Sequence, residues 1–202
     1  MKRTLGLTLL LFATLFSCMR QEKPLPAELS RAESVMWEHP DSALSILRSM
    51  PQSSLSSGKN YATWALLLAQ ARDKVYGKRL PDSLNIPSSD KLVQDAMDYF
   101  EKEGNLKRMA QTYYYKGQLL KDQKKITEAM PFFLKSKEMM TKLDEPLFTY
   151  QICQSLGNTY RYQDLYEESL VQLKDAYQYA LRSGNGERIS YALSELGRTY
   201  VH

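Results

Sequence analysis

The sequence predicts an all-α solenoid of stacked antiparallel helix pairs, on three observations. The first is a repeat of forty residues: written in rows of forty from Leu106, the chain places Gly117, Gly157 and Gly197 in one column. The second is what surrounds each glycine. Four residues before it stand Tyr113, Cys153 and Leu193, and three after it Leu120, Tyr160 and Tyr200. Twelve residues beyond it come Ala129 and Ser169, then Phe133 and Leu173, then Ser136 and Ala176. Small residues let two helix axes approach, and large ones fill the seam between them. The third is punctuation: the row junctions align at Gly104-Asn105, Asp144-Glu145 and Gly184-Asn185, where one helix should end and the next begin. A unit of this kind cannot bury its apolar face alone, so copies stack.

At the N-terminus, Lys2 and Arg3 precede an apolar stretch over residues 5–16. Twelve helical residues cover roughly 18 Å, short of a hydrocarbon core of roughly 30 Å, so the stretch suits a secretory signal and not a span. It runs into Leu15-Phe16-Ser17-Cys18, which resembles the lipobox of bacterial lipoproteins, although Phe16 is bulkier than the usual occupant. That resemblance implies a cleaved lipoprotein signal peptide over 1–17 and acylation of Cys18. Residues 18–26 then form a polar tether, which Pro24 and Pro26 keep from continuing as helix. Several acyl chains supply the stable anchoring that one cannot. The expected address is the bacterial cell envelope, lipid-anchored to a membrane, with the outer membrane favoured. The residues after Cys18 do not decide between the periplasmic and the surface face.

Residues 27–202 are left as the folded domain. Residues 28–38 and 40–50 read as a capping helix pair, the second opened by Pro40-Asp41-Ser42 and marked by Ala43 and Leu47. Residues 53–58 form a linker. The apolar run from Asn60 to Ala69 reads as a first helix whose partner spans 90–103, with a long loop at 76–89 between them. Two regular pairs follow, then a final helix without a partner. Asp164-x-x-Glu167 has the spacing of a capping box, and Pro131 should delay or kink its helix. In the final helix Ile189, Leu193, Leu196 and Tyr200 form a stripe expected to dock on the preceding helix, which leaves Ala192 and Gly197 bare and favours weak self-association.

The columns resemble the tetratricopeptide repeat (TPR), through Leu156-Gly157-x-x-Tyr160 and Leu196-Gly197-x-x-Tyr200 with Ala129/Phe133/Ser136 and Ser169/Leu173/Ala176 from the second helices. The resemblance covers residues 61–202. The usual period is 34, Thr141 and Leu181 stand where a proline usually ends the second helix, and Lys116 replaces the expected leucine before Gly117.

Composition narrows the chemistry. Hydrophobic residues make up 43% and charged residues 25% of 202, as in ordinary globular chains. Removing Lys2 and Arg3 leaves 25 basic against 23 acidic residues, too even a balance for nucleic acid. Two cysteines and two histidines supply neither a metal cluster nor a His-based triad, and no Gly-rich phosphate loop occurs. The expectation is a non-enzyme with no cofactor. Cys153 shares a column with Tyr113 and Leu193 and reads as a packing residue.

The TPR resemblance implies a concave groove lined by the other face of each first helix. That face carries Gln111, Tyr114, Gln118 and Lys121, then Gln151, Gln154, Asn158, Arg161 and Tyr162, then Tyr191, Ser194 and Arg198. Amides, aromatics and arginines of this kind can bind a peptide backbone and clamp a carboxylate. The reading is a membrane-anchored TPR scaffold for a protein or peptide partner. Its alternatives are a truncated sensory region of a TPR-containing regulator and a glycan-binding outer-membrane lipoprotein.

Overall fold

The computed structural model describes residues 24–76 and 89–201. The signal segment, Cys18, most of the tether, the loop expected between the third and fourth helices and His202 lie outside the described residues.

The first pair is α1 (Ala27–Val35) and α2 (Pro40–Ser49), joined by a short 3-10 turn at Gln52–Leu55 to α3 (Gly58–Tyr76), which pairs with α4 (Ser89–Glu103). Two regular pairs follow, α5 (Leu106–Asp122) with α6 (Ile126–Leu143) and α7 (Pro146–Tyr162) with α8 (Tyr166–Ser183), and then α9 (Gly186–Tyr200). Packing is densest within the pairs α7/α8, α5/α6 and α3/α4, and each helix also lies on its successor. All regular structure among the described residues is helical.

Close approach explains the glycine column. A Cβ at Gly117 would lie 2.7 Å from Cε1 of Phe133, and one at Gly157 would lie 2.6 Å from Cγ of Leu173. The small residues opposite do more than leave room. Ser136 donates to the Ala110 carbonyl at 2.6 Å and Ser169 to the Gly157 carbonyl at 2.8 Å, so each seam is tied to the facing backbone. Ala129, Phe133, Ser136, Ser169, Leu173 and Ala176 are all fully buried.

The punctuation is finer than one signal per row. Gly104, Lys124, Asp144, Asp164 and Gly184 all adopt left-handed backbone, with φ between 54° and 77°, and they recur every twenty residues. The turns at 124 and 164 are closed alike, by Lys125 N–H on the Leu120 carbonyl at 2.9 Å and Leu165 N–H on the Tyr160 carbonyl at 3.0 Å. This six-residue closure is how a helix C-terminus satisfies its last carbonyls. It takes Asp164 for the turn, so the expected capping box does not form: α8 is capped at Leu165 without a side-chain bond. The asparagines at the row junctions do cap. Asn105 accepts from Arg108 N–H and Asn185 from Arg188 N–H, both at 3.0 Å.

Pro131 does not delay α6, which runs from Ile126 through it. The proline sits early in the helix on the exposed side, and Thr127, whose carbonyl it leaves without an intrahelical partner, is exposed to water.

One core runs from Leu29 in α1 to Leu156 in α7, and a smaller one joins α7, α8 and α9 through Tyr150, Cys153, Ala176, Ala180 and Ala192. Burial pushes the Cys153 thiol up to about 12, as for a packing residue. The last helix turns a different face inward from the one its apolar spacing suggests. Leu193 is 49% and Tyr200 60% exposed, while Ala192, Glu195 and Thr199 are buried. The partner of that buried face is Arg161 of α7, whose guanidinium bonds Glu195 and Thr199. A Cβ at Gly197 would meet nothing within 4 Å, since no described helix lies against that side.

Candidate functional site

The first helices of a solenoid share its concave side, and the N-terminal cap crosses it here. Arg108 of α5 makes two bonds to the Glu33 carboxylate of α1, Nη1 to Oε1 at 2.9 Å and Nη2 to Oε2 at 2.7 Å. In the turn after α1, the Trp37 ring has Lys74 of α3 3.7 Å from its centre and Arg188 of α9 at 5.5 Å. Phe148 of α7 meets it edge-on at 6.2 Å. Each of α3, α5, α7 and α9 therefore reaches the short segment 33–37.

The residues expected to line the groove separate into three groups. Gln111, Tyr114 and Gln154 are buried between neighbouring first helices, so they are not an open binding face. Gln111 accepts from Arg108 at 3.2 Å, and the Tyr114 hydroxyl lies 3.2 Å from Ser155 Oγ and accepts from Gln118 at 2.9 Å. Successive first helices pack side by side and bury these side chains, and the Gln154 amide atoms are buried there without a hydrogen-bond partner. Gln151 is half-buried in the same seam. Tyr191, Ser194 and Arg198 lie exposed on α9.

The third group meets at a cleft. Lys121, Asn158, Arg161 and Tyr162 line an open cavity of about 650 Å³ together with Asp122, Lys124, Ile126, Thr159 and Tyr166. It sits where the C-terminal ends of α5 and α7 and the turns that follow them come side by side. Tyr162 is 73% exposed. Three cations face one carboxylate, and the tyrosine rings and Ile126 supply an apolar wall. The size falls in the range of ligand sites, roughly 300–1,000 Å³. Arg161 is not the free clamp that its spacing suggested. It bonds Asn158 Oδ1 at 2.9 Å and Glu195 Oε2 at 2.7 Å, and Glu195 also takes Arg198 at 3.0 Å. The two arginines do clamp a carboxylate, but it belongs to the chain.

The residues that cross the concave side were not singled out from sequence. Glu33 and Arg108 stand 75 positions apart, a pairing that no local spacing reveals. Trp37 carried the one available signal, an indole at the end of a helix pattern.

Burial perturbs two groups at the C-terminal end of α3. It pushes the Asp73 carboxyl up to about 6, with Asp122 adding to the rise and Lys121 and Lys74 opposing it. It also pulls Lys74 down to about 8. An unfolded chain loses the Asp73 proton near pH 4, so the stability tied to holding it is complete below about pH 4 and is lost as the pH rises through 6. Asp73→Asn is therefore expected to raise the melting temperature at pH 7.5, by a stabilisation of about 1–3 kcal/mol, and to leave it unchanged at pH 4. Equal melting at pH 7.5 would place this carboxyl in water. Among the described residues no group of His, Cys, Asp and Glu could hold a metal ion.

No protein-family model matches the chain, and no curated protein matches it. Solved structures do. One is the Signal Transduction ATPase with Numerous Domains (STAND) protein with a tetratricopeptide repeat sensor from Pyrococcus horikoshii, with a TM-score of 0.64 at 16% identity over 87% of this chain. The chain spans 26% of that protein's length. Another is BtubC from P. vanneervenii, with a TM-score of 0.55 at 17% identity, covering 86% of this chain and 66% of that one. At such identities the likeness is one of fold. With the nine described helices and their seams, it makes the domain a TPR-like α-solenoid.

Proposed function

We propose that this chain is a membrane-anchored TPR scaffold that binds a protein or peptide partner in the bacterial cell envelope. The observation that carries the binding half is the cleft between the ends of α5 and α7, which pairs an exposed tyrosine and apolar wall with an excess of positive charge. The anchoring half rests on Leu15-Phe16-Ser17-Cys18 after a basic start and an apolar stretch. No described helix is long and apolar enough to cross a membrane. Leu193 and Tyr200 on α9, with Val201 just after it, add a second exposed surface through which copies self-associate weakly.

Two measurements test the reading. Cys18→Ser should move the chain from the detergent to the aqueous phase on phase separation; a mutant that stays with the detergent would refute acylation. A photo-crosslinking residue at Tyr162 should capture one envelope protein in cells, and Lys121→Glu should abolish the adduct. An adduct indifferent to Lys121→Glu, or none at all, moves binding away from the cleft.

A further inference from the structure

The cleft shares a wall with a second cavity. That cavity, of about 30 Å³, is large enough for water and is walled by Asp73 of α3, Ser89 of α4 and Tyr115, Gln118 and Asp122 of α5. Asp122 lines both spaces. Gln118 makes a second link, since its Oε1 accepts from Lys121, which lines the cleft. Its amide nitrogen donates to the Tyr114 hydroxyl at 2.9 Å, so the side chain is held at both ends. Asp73 thus stands behind the same stretch of α5 that supplies the cleft with Lys121 and Asp122.

Burial holds the proton on Asp73 up to about pH 6, so this carboxyl gains its charge between pH 5 and pH 7.5. The groups that face it are Lys74 on its own helix and Lys121, Asp122, Tyr114 and Tyr115 on α5. From α4, Ser89 and Val93 line its cavity and carry no charge. Burial pushes both tyrosine hydroxyls well above their ordinary range, so neither ionises here. Lys74 keeps its charge up to about pH 8. Lys121 opposes the rise at Asp73, and such an interaction is mutual: the ionised carboxylate draws on Lys121 as much as Lys121 favours it. With Asp73 neutral, the cations of the cleft face Asp122 alone; with Asp73 ionised, they answer a second negative charge.

We propose that Asp73 sets the affinity of the cleft for an anionic ligand: with its proton it leaves Lys121 to the ligand, and without it competes for Lys121 across the shared wall. The use of this switch rests on the cleft being the partner site. A ligand of fixed negative charge binds tighter below about pH 6 than above it.

Two measurements test the switch, both with Asp73→Asn, which keeps the shape of the side chain and drops its charge. Carbon NMR follows Cε of Lys121 from pH 4 to pH 8. An inflection near pH 6 is expected in the wild type and should vanish in Asp73→Asn; a wild-type signal that is flat through pH 6 overturns the proposal. Fluorescence titration with 1-anilinonaphthalene-8-sulfonate reads the ligand side, because its rings suit the apolar wall and its sulfonate stays charged throughout. At pH 7.5 Asp73→Asn should bind the dye about threefold tighter than the wild type, and at pH 5 the two should bind alike. Adding Lys121→Met to both chains should abolish the difference. Equal binding at pH 7.5, or a difference that survives Lys121→Met, overturns the proposal. An inflection at Lys121 with no adduct at Tyr162 would remove the partner site and keep the switch; an adduct with a flat Lys121 signal would do the reverse.

Discussion

Gly157→Leu is expected to unfold the stack at a temperature well below the wild type, while Gly197→Leu, in the same column forty residues on, is expected to do no harm. The first substitution drives a side chain into a seam with no space. Its Cβ alone would sit 2.6 Å from Leu173 Cγ and 3.4 Å from the Ser169 carbonyl, whose own hydroxyl ties α8 to the Gly157 carbonyl. The seam must open, and overpacking of this kind costs about 1–3 kcal/mol, with more once the Ser169 bond is lost. Leu173→Ala empties the same place and should cost about 2–5 kcal/mol. At Gly197 a Cβ meets nothing within 4 Å, and a glycine within a helix is worse than alanine by about 1 kcal/mol. Gly197→Ala should therefore raise the melting temperature slightly. Thermal unfolding of the four variants separates packing from propensity. A Gly157→Leu chain that melts with the wild type would mean the pair α7/α8 does not approach as closely as the glycine suggests.

What could be read in advance follows from how local each signal is. The seams were legible because small and large residues recur at spacings that one helix pair imposes on any sequence, and Gly117, Phe133, Gly157 and Leu173 all lie where the columns put them. Helix ends were legible at Gly104, Asn105, Gly184 and Asn185, where residue type and backbone demand agree. They were illegible at Lys124 and Asp164, because the closure of one helix outweighed the local preference of the side chain. The binding face was legible only as a face. Which of its polar residues stay open depends on how tightly neighbouring first helices pack, and Tyr114 and Gln154 lost their exposure to that contact. The cap that crosses the concave side was hidden for a further reason. Residue 33 meets 108, and 37 meets 188, only through the stacking of the whole domain, and no window of sequence carries that stacking.

Arg161 is bonded into the fold by Glu195 and Thr199, which sets what should follow from removing it. As a groove residue it could be truncated at little expense to the fold; in its place it cannot. Glu195 is 2% exposed and depends on Arg161 at 2.7 Å and Arg198 at 3.0 Å. Arg198 is itself 61% exposed, so water screens its attraction, and Arg161, at 19%, is the partner that counts. Arg161→Ala strands a buried carboxylate and is expected to cost about 3 kcal/mol, the low end for breaking a buried pair, because Arg198 remains. Arg198→Ala should cost less than about 1 kcal/mol. Removing both charges of the pair with bulk restored, Arg161→Met with Glu195→Leu, should recover most of the loss, since well-packed apolar replacements of buried pairs are often neutral or better. Urea unfolding of the two single variants and the double variant reads the coupling directly. If Arg161→Ala unfolds at the wild-type urea concentration, the pair is solvated and α9 is held by its apolar contacts alone. If it unfolds early, a loss of partner binding in that variant reports the detachment of α9 and not a missing contact, so Lys121 and Tyr162 are the positions through which the cleft should be probed.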